Sequence, residues 1–364
     1  MSRTLLIMAG GTGGHIMPGL AIAELMRARG WTVRWLGTAH GMENRLVPAA
    51  GITLDTIAFA GLRGKGLLHA MKGALQLLAG FVRCFRLMGA VRPDVALGMG
   101  GYVTVPGGIG AALRRVPLAL VNSDAGLLLS NRMLLPFTRR ILFGLPGDSV
   151  KLSDKAIWTG SPVRSAIRAV APPSARYAGR SGPLRLLVIG GSLGATALNR
   201  ALPLGLARLP AATRPTVVHQ CGAGHLDAVK AMYRDLGVHA EVLPFIEDMA
   251  AQYAAADLVV CRAGAITISE LTVAGVPSVL VPLTVSTTSH QRDNAIYMAR
   301  AGAALHLPQP EMSAERLAEV LGGLTREQLL HMAEAARRLG KPDATATVAD
   351  VLEQLAGRFA RGSA

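Results

Sequence analysis

Met8-Ala9-Gly10-Gly11-Thr12-Gly13-Gly14-His15 is the stretch on which the fold turns. It follows the apolar run Thr4 to Ala9, the pattern of a strand buried on both faces of a parallel sheet. It precedes a helix expected to begin near Pro18, to carry Leu20, Ala23, Leu25 and Met26, and to stop at Gly30. Glycines at a strand-to-helix turn let backbone N–H groups and the positive helix end face an anion. A second copy, Val188-Ile189-Gly190-Gly191-Ser192-Leu193-Gly194-Ala195, lies 180 residues further on. The copies agree at three glycines, with Ser192 in the place of Thr12. Two such openings predict two similar α/β domains, each with a parallel sheet, sharing one cleft.

A chain of 364 residues is long enough for two full cores. Its 42 glycines and 4% aromatic content suit α/β turns better than a β-sandwich. The formal charge of +15 is uneven: residues 1–163 carry 18 Lys/Arg against 7 Asp/Glu (+11), and residues 164–364 carry 20 against 16 (+4). The first half therefore meets any acidic partner. Nucleic acid is disfavoured because the basic residues are not interleaved with stacking aromatics, whereas an anionic membrane or a phosphorylated substrate fits. Cys84, Cys221 and Cys261 are isolated, so neither a disulfide framework nor a zinc site is expected, and a reducing cytosol is the default. No signal peptide and no transmembrane helix are expected either.

A dinucleotide site would place a third glycine where Ile16 stands and an acid after the second strand, Thr32 to Leu36, where Gly37-Thr38 follow. A nicotinamide enzyme is therefore disfavoured. Residues 56–93 hold no Asp or Glu until the strand at Asp94. Leu68, Met71, Leu75, Leu78, Val82 and Phe85 recur on one helical face, with Lys72, Arg83 and Arg86 on another. That helix either packs its apolar face on the sheet or, with Arg63 and Lys65 in the preceding glycine loop, rests on anionic lipid. Further strands are expected at Asp94 to Leu97, Leu118 to Val121, Ile141 to Phe143 and Ala156 to Thr159. Gly98-Met99-Gly100-Gly101-Tyr102 forms another glycine turn.

The domain boundary is set near residue 163, with residues 160–183 as an exposed linker. The second domain continues with strands at Arg185 to Ile189, Thr216 to His219, Glu241 to Leu243, Leu258 to Cys261 and Ser278 to Val281. Glu247 to Ala256 reads as a helix. Arg262-Ala263-Gly264-Ala265-Ile266-Thr267-Ile268-Ser269-Glu270 enters a helix with Glu270 one turn in, suited to accept two hydrogen bonds from a ribose diol. The tail, Thr345 to Arg361, is expected to return to the first domain. The resulting division is 1–163 with tail 342–364, and 164–341.

These glycine turns, with Gly61-Leu62-Arg63-Gly64-Lys65-Gly66 and Cys261-Arg262-Ala263-Gly264-Ala265, resemble the MurG family of bacterial glycosyltransferases from Thr4 to about residue 350. The resemblance implies two Rossmann-like α/β domains of GT-B type facing a central cleft. It implies inverting, metal-independent transfer of N-acetylglucosamine from UDP-N-acetylglucosamine to the muramoyl 4-hydroxyl of lipid I, giving lipid II, at the cytoplasmic face of the inner membrane. The lipid acceptor then belongs to the first domain and the nucleotide sugar to the second. No cofactor is implied, and none of the 12 aspartates forms the Asp-x-Asp pair of metal-dependent transferases.

His15 is the candidate base, or else a structural histidine or a holder of the acceptor diphosphate. By resemblance Thr12, Gly13 and Gly14 approach the donor sugar, as does Asp124. Arg164 contacts the donor and Ser192 its phosphates. Ile246, Ala265, Ile266, Thr267, Ile268 and Ser269 surround the uridine, Glu270 takes the ribose, and Gln291 takes the sugar hydroxyls. The membrane patch comprises Arg63, Lys65, Lys72 and Arg83.

Where the family usually has His-Glu-Gln-Asn, this chain has Val121-Asn122-Ser123-Asp124, which puts a base role for that loop in doubt. The alternatives are another GT-B enzyme, such as a nucleotide-sugar epimerase or a different lipid glycosyltransferase, and a UDP-sugar-binding protein without catalysis.

Overall fold

The computed structural model describes residues 2–11, 13–57, 67–147, 150–151, 153–191, 194–283 and 290–362, leaving aside the side chains of 67–77 and 358–362. The chain forms two compact units, residues 1–164 with 343–364, and residues 165–342.

Unit 1 runs β1 (Thr4–Ala9), α1 (Gly13–Ala28), β2 (Thr32–Thr38), α2 (Glu43–Ala49), β3 (Thr53–Ile57), α3 (Leu67–Val91), β4 (Val95–Gly100), α4 (Thr104–Leu113), β5 (Leu118–Asn122), α5 (Leu129–Leu134), β6 (Arg140–Phe143) and β7 (Ala156–Trp158). Its sheet order is β3-β2-β1-β4-β5-β6-β7, parallel throughout. Successive β1 side chains alternate between faces. Leu5, Ile7 and Ala9 join a core with Ile16, Ile22 and Met26 of α1, while Leu6 and Met8 join a second with Cys84, Met88 and Ala111 of α3 and α4. Each fully buried aliphatic side chain contributes about 1.5–3 kcal/mol.

Unit 2 runs α6 (Ser165–Arg168), α7 (Pro173–Tyr177), β8 (Arg185–Ile189), α8 (Thr196–Ala207), β9 (Thr216–Gln220), α9 (Leu226–Asp235), β10 (Ala240–Leu243), α10 (Met249–Ala255), β11 (Leu258–Cys261), α11 (Ala265–Ala274), β12 (Ser278–Leu280), α12 (His290–Arg300), β13 (Ala304–His306), α13 (Ala314–Gly322) and α14 (Arg326–Leu339). Its parallel sheet has the order β10-β9-β8-β11-β12-β13. α15 (Ala344–Gly362) then belongs to unit 1. It sets Val348, Ala349, Leu352 and Ala356 into the core beside α1, and Asp350 and Glu353 pair with Arg29 at 2.7 and 2.9 Å.

Several expectations need correction. α1 starts at Gly13, not near Pro18, so His15 lies in its first turn. Residues 160–183 are not an exposed linker. They contain α6 and α7, and the nearly buried Arg176 donates to the carbonyls of Ala171, Tyr253, Ala274 and Gly275. The helix expected over Glu247 to Ala256 is shorter, because Asp248 caps it by accepting the Ala251 N–H at 2.9 Å. The apolar face of α3 is not packed on the sheet where it is described: Leu78, Val82 and Phe85 are 61, 44 and 36% exposed, while Cys84 and Met88 face inward. β3 and β13 were not expected from the sequence.

Candidate active site

Both strand orders reverse at one point, between β1 and β4 in unit 1 and between β8 and β11 in unit 2. Loops leaving the carboxyl ends of such neighbouring strands diverge and open a crevice, the preferred ligand position of this architecture. The four glycine turns stand at these four strand ends.

In unit 1 the first turn is locked from two sides. Gly101, at φ +86°, lies so close to the Gly10 carbonyl that a Cβ would overlap it. Gly100, at φ +111°, receives the face of the His15 imidazole, and a Cβ there would lie 2.6 Å from Cδ2 and 2.7 Å from Nε2. Both positions demand glycine, for backbone conformation and for space. Thr104 Oγ1 accepts the Gly100 N–H at 3.2 Å and fixes the second turn in place. On the other side Glu43 accepts the N–H of Gly11 at 3.2 Å. That donor is spent within the protein, so the turn offers an anion fewer N–H groups than its sequence suggests.

His15 is partly buried. The Gly10 backbone favours its charged ring, yet Nδ1 meets no partner in good hydrogen-bond geometry among the described residues. Burial pushes the imidazole below its ordinary pKa, opposed by the Asp124 carboxylate and the Gly10 backbone. Burial therefore lowers it, not the helix terminus. Asp124 stands in unit 1 with its charge within electrostatic reach of His15.

The loop after β5 is tied by Asn122, which is fully buried. Its amide donates to the Asp124 and Gly126 carbonyls at 2.7 and 2.9 Å, and its oxygen accepts from Leu128 N and Asn131 Nδ2. The side chain at this position is an internal strut.

Gly13 and Gly14 fall in the first turn of α1. Thr12, Ser192, Arg63 and Lys65 lie outside the described residues, as does the side chain of Lys72. Arg83 is exposed on α3, and Arg164 is the last residue of unit 1 before the chain enters unit 2.

In unit 2 the second-copy turn leads to α8, and Gly190 donates to the Gln220 carbonyl at 3.0 Å. Neither α8 nor α11 has a side-chain cap at its start, Ala195 and Gly264 being the cap residues, so no cap side chain takes the first-turn N–H groups of either helix. On α11, Ile266 and Thr267 are half-buried, whereas Ala265, Ile268 and Ser269 are buried, with Ser269 Oγ donating back to the Ala265 carbonyl at 2.9 Å. Glu270 is nearly buried and accepts the Tyr253 hydroxyl at 3.2 Å. Ile246 is buried, and Gln291 Oε1 accepts the Leu283 N–H at 2.9 Å. Behind the second-copy turn, His219 joins Tyr233 and Asn199 at 2.9 and 3.1 Å, and burial lowers its pKa to about 4.

Sequence reasoning missed Glu43, whose partners stand 5 and 32 residues away. One signal was available: it is one of only seven acids in residues 1–163.

Two Rossmann-like units with glycine turns at their switch points form the architecture of a GT-B glycosyltransferase. Residues 5–143 match the glycosyltransferase family 28 N-terminal domain and residues 185–355 its C-terminal domain; the chain belongs to this family and is a glycosyltransferase.

Curated relatives named UDP-N-acetylglucosamine--N-acetylmuramyl-(pentapeptide) pyrophosphoryl-undecaprenol N-acetylglucosamine transferase include those of Janthinobacterium sp. (strain Marseille) and Herminiimonas arsenicoxydans. They are 60% and 61% identical over 353 residues, covering 97% of this chain and 99% of each relative. The crystal structure of Acinetobacter baumannii MurG is similar at a TM-score of 0.80 and 35% identity, covering 97% of this chain and 99% of that one.

Proposed function

We propose that the chain transfers N-acetylglucosamine from UDP-N-acetylglucosamine to the muramoyl 4-hydroxyl of lipid I with inversion, forming lipid II for peptidoglycan. The relatives' shared name and the family 28 match support this activity. Unit 1 takes the acceptor and unit 2 the donor.

The observation that carries the mechanism is the position of the His15 imidazole in the first turn of α1 against Gly100, where burial lowers its pKa and so favours the neutral base. It removes the proton of the 4-hydroxyl as that oxygen attacks the anomeric carbon, a role worth about 10²–10⁴-fold in rate. UDP leaves from the opposite face. Charge developing on its diphosphate meets the uncapped N–H groups of α8 and α11, with Ser192 and Arg164 beside it. Ile246 and residues 265–269 flank the uridine, Glu270 accepts the ribose hydroxyls, and Gln291 and Asp124 bind the sugar, with Thr12, Gly13 and Gly14 approaching it.

The enzyme sits peripherally on the cytoplasmic face of the inner membrane. Exposed Leu78, Val82, Phe85 and Leu113 beside exposed Arg83 and Arg86 favour an anionic lipid surface, with Arg63, Lys65 and Lys72 contributing charge. No helix of the described residues is long and apolar enough to cross a membrane.

A labelled transfer assay with UDP-N-acetylglucosamine and a lipid I analogue, run with a chelator, tests the proposal. UDP released at the same rate with and without the acceptor refutes it, and full transfer by His15→Ala refutes the base.

A further inference from the structure

Glu43, the first residue of α2, takes no part in the assignments above, yet it is fully buried behind the turn that leads to His15. Its Oε1 accepts the Thr38 N–H at 2.9 Å and the Thr38 hydroxyl at 2.6 Å, and its Oε2 accepts the Gly11 N–H at 3.2 Å. Space for it is reserved by glycine: a Cβ on Gly10 would lie 2.9 Å from Oε1, one on Gly37 would lie 2.8 Å from Cγ, and one on Gly41 would overlap the carboxylate.

No lysine or arginine pairs with Glu43 among the described residues. Burying a carboxyl group is costly unless its oxygens are filled by donors, and an apolar side chain fills such a site at less cost. The donors here come from the end of β2 and from the Gly10–Gly11 corner. That corner is pressed on its other side by Gly101 and leads within two residues into α1, where the His15 ring lies on Gly100.

We infer that Glu43 is a positioning residue for the transfer step: by holding the Gly11 N–H it fixes the corner from which α1 and His15 project. The inference rests on His15 acting as the base in the proposed reaction.

Glu43→Gln is isosteric and breaks one arm of this arrangement. The amide oxygen keeps both Thr38 donors, and the NH₂ group then faces the Gly11 N–H, donor against donor. The comparison variant is Asp94→Ala, which removes a carboxylate that accepts the Thr4 N–H at 2.7 Å at the amino-terminal end of β1, the end away from the glycine turn. Both variants are expected to lower the melting midpoint slightly.

Glu43→Gln is expected to lose about 10–100-fold in kcat with KM for UDP-N-acetylglucosamine unchanged, since sub-ångström placement of a base is worth such factors. Asp94→Ala keeps kcat within about twofold. If Glu43→Gln folds poorly, Glu43→Asp gives the same readout by withdrawing the carboxylate one methylene from Gly11. Wild-type kcat in the Glu43 variant, or a loss no greater than that of Asp94→Ala, overturns the inference. His15→Ala, measured alongside, separates the failures. Full rate in that variant defeats the base, whereas a crippled His15→Ala beside an unimpaired Glu43 variant defeats only the role of Glu43.

Discussion

Gly100→Ala puts a methyl group against the proposed base. The new Cβ would stand 2.6 Å from His15 Cδ2 and 2.7 Å from Nε2, and carbon atoms rest about 3.5–4.0 Å apart. The ring must retreat by about 1 Å. A displacement of that size costs about 10²-fold in rate, or about 2.7 kcal/mol on the barrier. The φ of +111° adds about 1–3 kcal/mol of backbone strain, because alanine has no low-energy state there. For a unit of this size each kcal/mol lowers the melting midpoint by about 2–4 °C.

Steady-state transfer to a lipid I analogue, with calorimetry on the same preparation, separates the two costs. We expect a soluble protein with a lowered midpoint, kcat reduced about 100-fold, and KM for UDP-N-acetylglucosamine little changed, because Gly100 lies in unit 1 and the donor is proposed to bind mainly through unit 2. A soluble Gly100→Ala protein within threefold of wild-type kcat would falsify the placement of His15 at the reacting hydroxyl.

Other perturbations address the remaining assignments. Gly194→Ala drives a Cβ into the Cys221 carbonyl and to 2.9 Å from His225; titration calorimetry should show UDP binding weakened at least about tenfold, and unchanged affinity removes the diphosphate from this turn. His219, lowered to about 4, is neutral in the folded chain over a range where the unfolded chain, near 6.5, already takes up a proton. Stability of unit 2 therefore falls by up to about 3 kcal/mol as pH drops from 6.5 to 4. His219→Gln should flatten that slope in urea titrations, and a slope unchanged from wild type contradicts the origin given. Reversal of Arg83 and Arg86 to Glu should weaken flotation with anionic vesicles at least about tenfold while sparing transfer to a soluble acceptor, and equal flotation removes the lipid surface from α3.

The parts of the fold legible in the sequence were those where one residue type answers to one physical demand. β1, β8 and β11 are apolar runs because both faces of a parallel strand are buried, and their limits match the observed ones. β3 and β13 escaped notice because edge strands bury little. Thr53 and Asp55 on one face of β3 and Thr56 on the other leave neither face wholly apolar, and Asp55 pairs with Arg34 of β2 at 2.7 Å. Prolines and glycines made residues 160–183 look like a linker, although Arg176 folds them down through carbonyls contributed by residues nearly 100 positions away.

At the site, the histidine and glycines were visible as a motif, but the reason for each glycine was not. Gly100 and Gly101 exist for an imidazole and a carbonyl on another strand's loop, a pairing that no local pattern encodes. Glu43 is hidden for the same reason. The apolar stripe of α3 was legible; periodicity alone does not tell a stripe turned to the core from one turned outward.

α15 gives unit 1 an unusual history during synthesis. The last strand of its sheet ends at Trp158, and the helix that supplies Val348, Leu352 and Ala356 to its core begins at Ala344, 186 residues later. At about 5–20 residues per second that separation amounts to roughly 10–40 s, during which unit 2 emerges entire. The unit made first is thus completed second, and the apolar flank of β1 and α1 stays uncovered meanwhile. Nascent chains arrested before residue 344 should accordingly carry a protease-resistant unit 2 and a labile unit 1, an order opposite to the order of the genes' codons.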